Sequence, residues 1–173
     1  MSVSLRINEL MEYTDWERAK WQNRLRSAGD SALGLAAGPN GDGRFECVGD
    51  LVRHIFSAEK RYVERLSNQP LTDTSAIPAG KIETLFDFGR KSRKCLEEFL
   101  STFPEQDWDN PKKFIILNYK ATATPRKIVT HVLMHEVRHW AQIGTLLRLN
   151  RIIDDFHDFL ASPVMGGGFV KQE

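Results

Sequence analysis

A chain of 173 residues, 41% hydrophobic and 27% charged, is long enough to bury one core without disulfide or metal staples and has the composition of an ordinary globular domain. Its net charge of +1, with signs mixed along the sequence, argues against a nucleic-acid or membrane surface, either of which needs a concentrated basic face. With no leader pattern, no apolar run of the ~20 residues that span a bilayer, and only Cys47 and Cys95 as thiols, the expectation is one cytoplasmic domain over residues 1–173. Both cysteines read as ordinary reduced thiols, and the partner as a small molecule.

Residues 4–27 place Ile7, Met11, Thr14, Trp21 and Leu25 on one stripe, which predicts an amphipathic first helix. Residues 28–49 are rich in Gly, Ala and Asp, and Pro39, Gly41 and Gly43 break any periodicity. A connection of that length points to a functional loop, expected over the mouth of a site. Asp50 is suited to cap a second helix running to about Ser67, with Leu51, Ile55, Ala58, Tyr62 and Leu66 inward and His54 on the same face. After Pro70 and Pro78, the positions Ile82, Leu85, Phe86, Leu96, Phe99 and Phe103 trace a third helix that Pro104 closes.

FIILNY at 114–119 is β-prone and too short for a stable helix, so a short extended or hairpin element is predicted there. Thr124 as N-cap and Pro125 as first residue open a long fourth helix to Leu149, with Ile128, Val132, Ile143 and Leu146 inward. Residues 152–160 suggest a turn or two, and 163–173 a loose tail. The predicted fold is all-α: a four-helix bundle with a short extended or hairpin element before the last helix. Bundles build metal sites from facing helices.

The fourth helix carries His131, His135 and His139 on or beside its inward stripe. Residues four apart are offset by about 40° and rise about 6 Å, so two imidazoles can meet one ion. His131 and His139 are separated by about 12 Å along the axis, too far for a shell of about 2 Å radius. The helix therefore offers one adjacent pair, and a third ligand must come from His54 or His157. A single core histidine satisfied by one hydrogen bond is the commoner arrangement, and it would suffice for His54 alone. Burying His135 and His139 one turn apart is costly unless something satisfies both rings, which favours a divalent metal with His54 inward.

A second reading uses the same residues. His135-Glu136-Val137-Arg138-His139 matches the zinc-hydrolase pattern H-E-x-x-H, with Glu136 as the base. That reading needs a third ligand downstream, where Asp154, Asp155 and His157 lie, and a sheet edge for an extended peptide. Glu136 stands about 100° from His135 around the helix, so it need not face the ion.

The order of a helix with one histidine (GDLVRHIFSAEKRYVERL), a third helix, and then HVLMHEVRHWAQIGTLLRL resembles the DinB-like (DinB/YfiT) superfamily of four-helix metalloproteins. This is the damage-inducible metal-binding family, not the DNA polymerase of the same name. The resemblance extends to the first helix (EYTDWERAKW) and the aspartate-rich end (DDFHDFLAS). It implies one divalent ion, zinc or nickel with iron or copper also suited, held by His54, His135 and His139 with positions left open. His131 and Glu136 would then be second shell or pocket lining, with Glu59, Tyr62 and Gln142 as polar helpers. Related proteins include S-transferases using bacillithiol, mycothiol or glutathione, and thiol-dependent isomerases. The implied function is a metal-dependent transferase with a low-molecular-weight thiol cosubstrate, its electrophile under the 28–49 loop. The alternative is a stress-related metal-binding protein without catalysis. After the last histidine the family often has Arg-Gly-Gln, whereas this chain has Trp140, Ala141 and Gln142. A homodimer through helix faces is also implied, and Trp16 or Trp21 would suit its interface or the core.

Overall fold

A computed structural model of the chain describes residues 4–116, 118–153, 156–167 and 169. Four α-helices are present among them: α1 Ile7–Ala28, α2 Val48–Leu66, α3 Ile82–Thr102 and α4 Pro125–Leu149. A hairpin precedes α4, its strands β1 Lys112–Ile116 and β2 Tyr119–Ala123 pairing antiparallel from Lys112 opposite Ala123 to Ile116 opposite Tyr119. The α4 start follows from its sequence: the Thr124 side chain accepts the Lys127 amide at 3.2 Å, and Pro125 needs no partner for a missing N–H. The α2 start differs from expectation. Its N-cap is Cys47, and Asp50 instead occupies the first turn, where it accepts the Glu46 amide at 3.1 Å and pairs with Arg53 at 2.8 Å. A carboxylate there complements the positive helix end as well as a cap does.

α2 packs against α3 and α4, while α1 packs against α4 and α3, so α1 and α2 lie diagonally across the bundle. The connection between them must therefore cross the bundle, and its length serves that crossing. It makes short 3-10 turns at Asp30–Gly34 and Gly38–Gly41, bridges Ala36 to Cys47, and buries Ala32, Leu33 and Ala37. Among the described residues no helix is long and apolar enough to cross a membrane.

The core falls into two apolar clusters. One is built around Trp21, Phe56, Phe86 and Trp140, the other around Leu96, Phe99, Trp108 and Leu133. Trp21 is only 2% exposed and stacks on Trp140 at 5.6 Å, so it belongs to the core and has no surface to offer an interface. Trp16 is half-buried and stacks on Tyr13. Gly89 lets α2 and α3 close: a Cβ there would come within 2.8 Å of the Phe56 ring. The tail is not uniformly loose, because Ser162 and Val164 are buried after a 3-10 turn at Phe159–Ala161.

Candidate metal centre

α2 supplies His54 and α4 supplies His135 and His139, and their Nε2 atoms converge. His54 Nε2 lies 3.2 Å from His135 Nε2, and His139 Nε2 lies 3.0 Å from the same atom. A tetrahedral shell with metal–nitrogen bonds of about 2.0–2.1 Å sets neighbouring nitrogens about 3.3 Å apart. Two of the spacings are close to that value and all three donor atoms lie within 4.8 Å of one another, so the rings could hold one ion. Hydrogen bonding among themselves would not satisfy them, since one Nε2 proton can serve only one neighbour.

Gln142 fixes the ring of His139. Its Oε1 accepts from His139 Nδ1, which leaves the lone pair on Nε2, facing the other two rings. The Gln142 amide in turn donates to the Asn40 carbonyl at 3.3 Å and to Asp42 at 3.4 Å, tying α4 to the crossing connection. Phe45 of that connection sits 4.6 Å from the His54 ring, so its tip does cover one side of the histidines. Burial pushes the His54 pKa down to about 4 and that of His135 down to about 3, with the neighbouring histidines adding to both shifts. Burial also lowers His139. At neutral pH the rings are uncharged, the form that binds metal.

A cleft of about 380 Å³ opens beside the three rings, with Tyr62 and His131 on its wall. His131 is exposed, its ring 5.5 Å from His135 and 5.5 Å from Tyr62. Of the three α4 histidines it is the one that stays out of the cluster.

Glu136 and Glu59, expected as second-shell or pocket groups, sit elsewhere. Glu136 accepts from Arg18 Nε at 2.6 Å and Nη2 at 2.7 Å, from Arg93 Nη2 at 3.1 Å, and from the Trp140 indole at 3.0 Å. Glu59 pairs with Arg18 at 2.9 Å and Arg93 at 3.2 Å. All four charged groups are buried between the two apolar clusters, two positive against two negative. Burial raises the pKa of Glu136, but Arg18 and Arg93 outweigh it and hold the carboxyl below its usual range. This overturns the hydrolase reading: a carboxylate committed to two guanidiniums inside the core is not available to activate water at the histidines. His157 is no third ligand either, because its Nδ1 meets Glu17 at 3.0 Å and its ring stacks on Trp21 at 4.1 Å. Asp154 and Asp155 lie outside the described residues.

Arg18 and Arg93 escaped the sequence reading, although a signal existed. Thr14, Arg18, Trp21 and Leu25 share one helical stripe, and Phe86, Gly89, Arg93 and Leu96 share another. A charge in register with apolar neighbours on two helices is a sign of an internal pair.

The DinB family model matches residues 1–150, a span that includes all four helices and the three converging histidines. The chain belongs to the DinB family. No curated protein matched it. In this DinB-family chain the residues after the last histidine divide between core and site. Trp140 points into the core, onto Trp21 and Glu136, while Gln142 keeps its hold on His139.

Proposed function

We propose that this DinB-family protein binds one divalent metal ion through His54, His135 and His139 and acts as a metal-dependent transferase of a low-molecular-weight thiol. One observation carries the reading: three imidazole nitrogens meet at the side of an open cleft of about 380 Å³, the size range of small-molecule sites. Three neutral protein donors are the set found in catalytic sites, which leave room for substrate. Zinc and nickel fit three imidazoles first, with iron and copper also suited.

A divalent ion held there supplies the positive centre that lowers the proton affinity of a thiol or water beside it. The chain's own residues do the rest. Gln142 sets the tautomer of His139, Phe45 shields one side of the rings, and Tyr62 with His131 shapes the wall where substrate lies. His131, on the cleft wall with its pKa lowered by partial burial, is the neutral base to which this reading assigns the proton that an incoming thiol gives up.

Elemental analysis of natively expressed protein tests the metal step. One ion per chain is expected in the parent and in His131→Ala, and none in His54→Ala, His135→Ala or His139→Ala. Incubation of the metal-loaded protein with bacillithiol, mycothiol or glutathione and a halogenated aromatic electrophile then tests transfer, read as thiol consumption. Metal retention with no consumption of any thiol would leave a non-catalytic metal-binding role in its place.

A further inference from the structure

The cleft beside the histidines has an unbalanced wall. Four arginines line it, Arg44, Arg61, Arg65 and Arg138, and no aspartate or glutamate does. Several arginines elsewhere are matched: Arg26 meets Glu83 at 2.6 Å, Arg126 meets Asp109 at 3.0 Å, and Arg53, at the edge of the neighbouring cleft, meets Asp50 at 2.8 Å, although the Arg24 Nε is buried without a partner. Here, among the described residues, the carboxylate within ion-pair distance is Asp42, which Arg44 and Arg138 approach at 3.6 and 3.7 Å, while Glu64 and Asp73 act on Arg65 and Arg61 from farther away. Arg61 and Arg65 make no ion pair among the described residues, and the Arg61 Nε is buried without a partner. The two sit one turn apart on α2, a spacing at which like charges repel. Burial and the charge of Arg61 pull the Arg65 pKa down. Arg65 also donates to the Arg61 carbonyl at 3.3 Å and lies over the Tyr62 ring at 5.5 Å, contacts that hold it at the wall without neutralising it.

We infer that this cleft binds a small molecule carrying at least two anionic groups, carboxylate or phosphate, gripped by Arg61 and Arg65 with Arg44 and Arg138 closing the rim. The inference rests on the metal reading above and adds the substrate's charge to it. A divalent ion held by three neutral imidazoles adds two positive charges to a wall with four guanidiniums and one shared carboxylate. The protein sets one carboxylate, Asp42, against that charge, and an anionic ligand would balance the excess. Guanidinium, not ammonium, lines the wall, and its planar fork matches carboxylate or phosphate oxygens two at a time. The cleft, at about 380 Å³, suits a metabolite and not a polymer.

Calorimetric titration of the full chain, metal-free and zinc-loaded, with succinate and with inorganic phosphate tests this. 2-Mercaptoethanol serves as the uncharged control, and Arg90→Gln, on α3 and outside this cleft, as the control variant. Saturable binding at one site per chain is expected for at least one anion, whichever oxygen chemistry fits better. Arg61→Gln and Arg65→Gln should each weaken it about tenfold, the scale of one charge-assisted contact. Arg61→Lys should lose part of the affinity and Arg90→Gln none. Absence of saturable binding by either anion in both forms of the parent overturns the inference, as does parent-like affinity in Arg61→Gln and Arg65→Gln. Zinc content measured on the same samples separates the two readings. Zinc held by the parent without anion binding sinks only this inference, whereas arginine-dependent anion binding with no zinc uptake sinks only the metal reading.

Discussion

His135 and Glu136 are adjacent on α4, yet one side chain turns to the cleft and the other to the core. Around Glu136 the polar groups are matched charge for charge, Arg18 and Arg93 against Glu59 and Glu136, with Thr14 and the Trp140 indole filling further hydrogen bonds. Around His135 the matching is partial: Gln142 holds His139, and Asp42 lies near Arg44 and Arg138. Three imidazole nitrogens face one another, the His135 Nδ1 is buried without a partner among the described residues, and arginines crowd the opening. The first cluster is neutral as folded, two guanidiniums against two carboxylates, although Glu59 Oε1 and Arg93 Nε and Nη1 lack hydrogen-bond partners among the described residues; the second carries excess positive charge and converging lone pairs. A polar cluster whose charges cancel inside the fold belongs to stability, and one that leaves charge facing a cleft belongs to function.

The sharpest way to break that distinction is Glu136→Ala. Removing one member of a buried, hydrogen-bonded charge set strands the guanidiniums, and the expected loss of stability is about 3–5 kcal/mol, read as a lower urea midpoint. A loss under about 1 kcal/mol would mean that the core cluster is no more structural than the histidines.

A somewhat smaller effect is expected from zinc. At a free concentration about 100 times its dissociation constant, an ion that binds only the folded chain stabilises by about 2.7 kcal/mol. The parent and His131→Ala should show that rise in melting temperature, while His54→Ala and His139→Ala show none. An equal rise in all four would place the ion elsewhere.

Acid should separate the clusters next. The unfolded chain protonates its histidines near pH 6.5, whereas burial holds His54 at about 4 and His135 at about 3 in the fold. Between those values the unfolded state binds more protons, so the metal-free protein loses stability as pH falls from about 6.5 toward 4, and the decline levels off below the folded values. His54→Gln with His135→Gln should flatten that slope in urea titrations across the range; an unchanged slope would put the acid sensitivity elsewhere.

The smallest change sharpens the boundary between the regions. Gln142→Ala removes the group that orients His139 and should weaken zinc about tenfold or more, as outer-shell deletions do, without moving the urea midpoint of the metal-free chain. A fallen midpoint would instead make Gln142 part of the fold's own framework, through its links to Asn40 and Asp42.

Much of this architecture is legible in local chemistry. Thr124 and Pro125 announce the start of α4, Pro104 follows the end of α3, and FIILNY reads as an extended element, of which residues 114–116 lie in β1 and Tyr119 opens β2. These signals act within a few residues of themselves, through capping, missing amides and side-chain period, so no distant neighbour is needed to interpret them. The start of α2 was less legible, because Asp50 stabilises a helix equally well from the first turn as from the cap.

What the sequence by itself determined is a set of four amphipathic helices and the offer of histidines four apart on the last one. Which pair of the three would be used, and what His54 would meet, depended on how α2 and α4 dock. Only that docking brings residues 81 positions apart to within 3.2 Å and leaves His131 outside. The same holds for Arg18 and Arg93. A charged side chain looks solvated in sequence until a partner from another helix neutralises it, and here the partners are Glu136 and Glu59, 118 and 41 positions from Arg18. The arginines of the cleft follow the opposite rule. Tertiary structure placed four of them together with Asp42 near two, and the excess positive charge points to an anion that the chain itself does not encode.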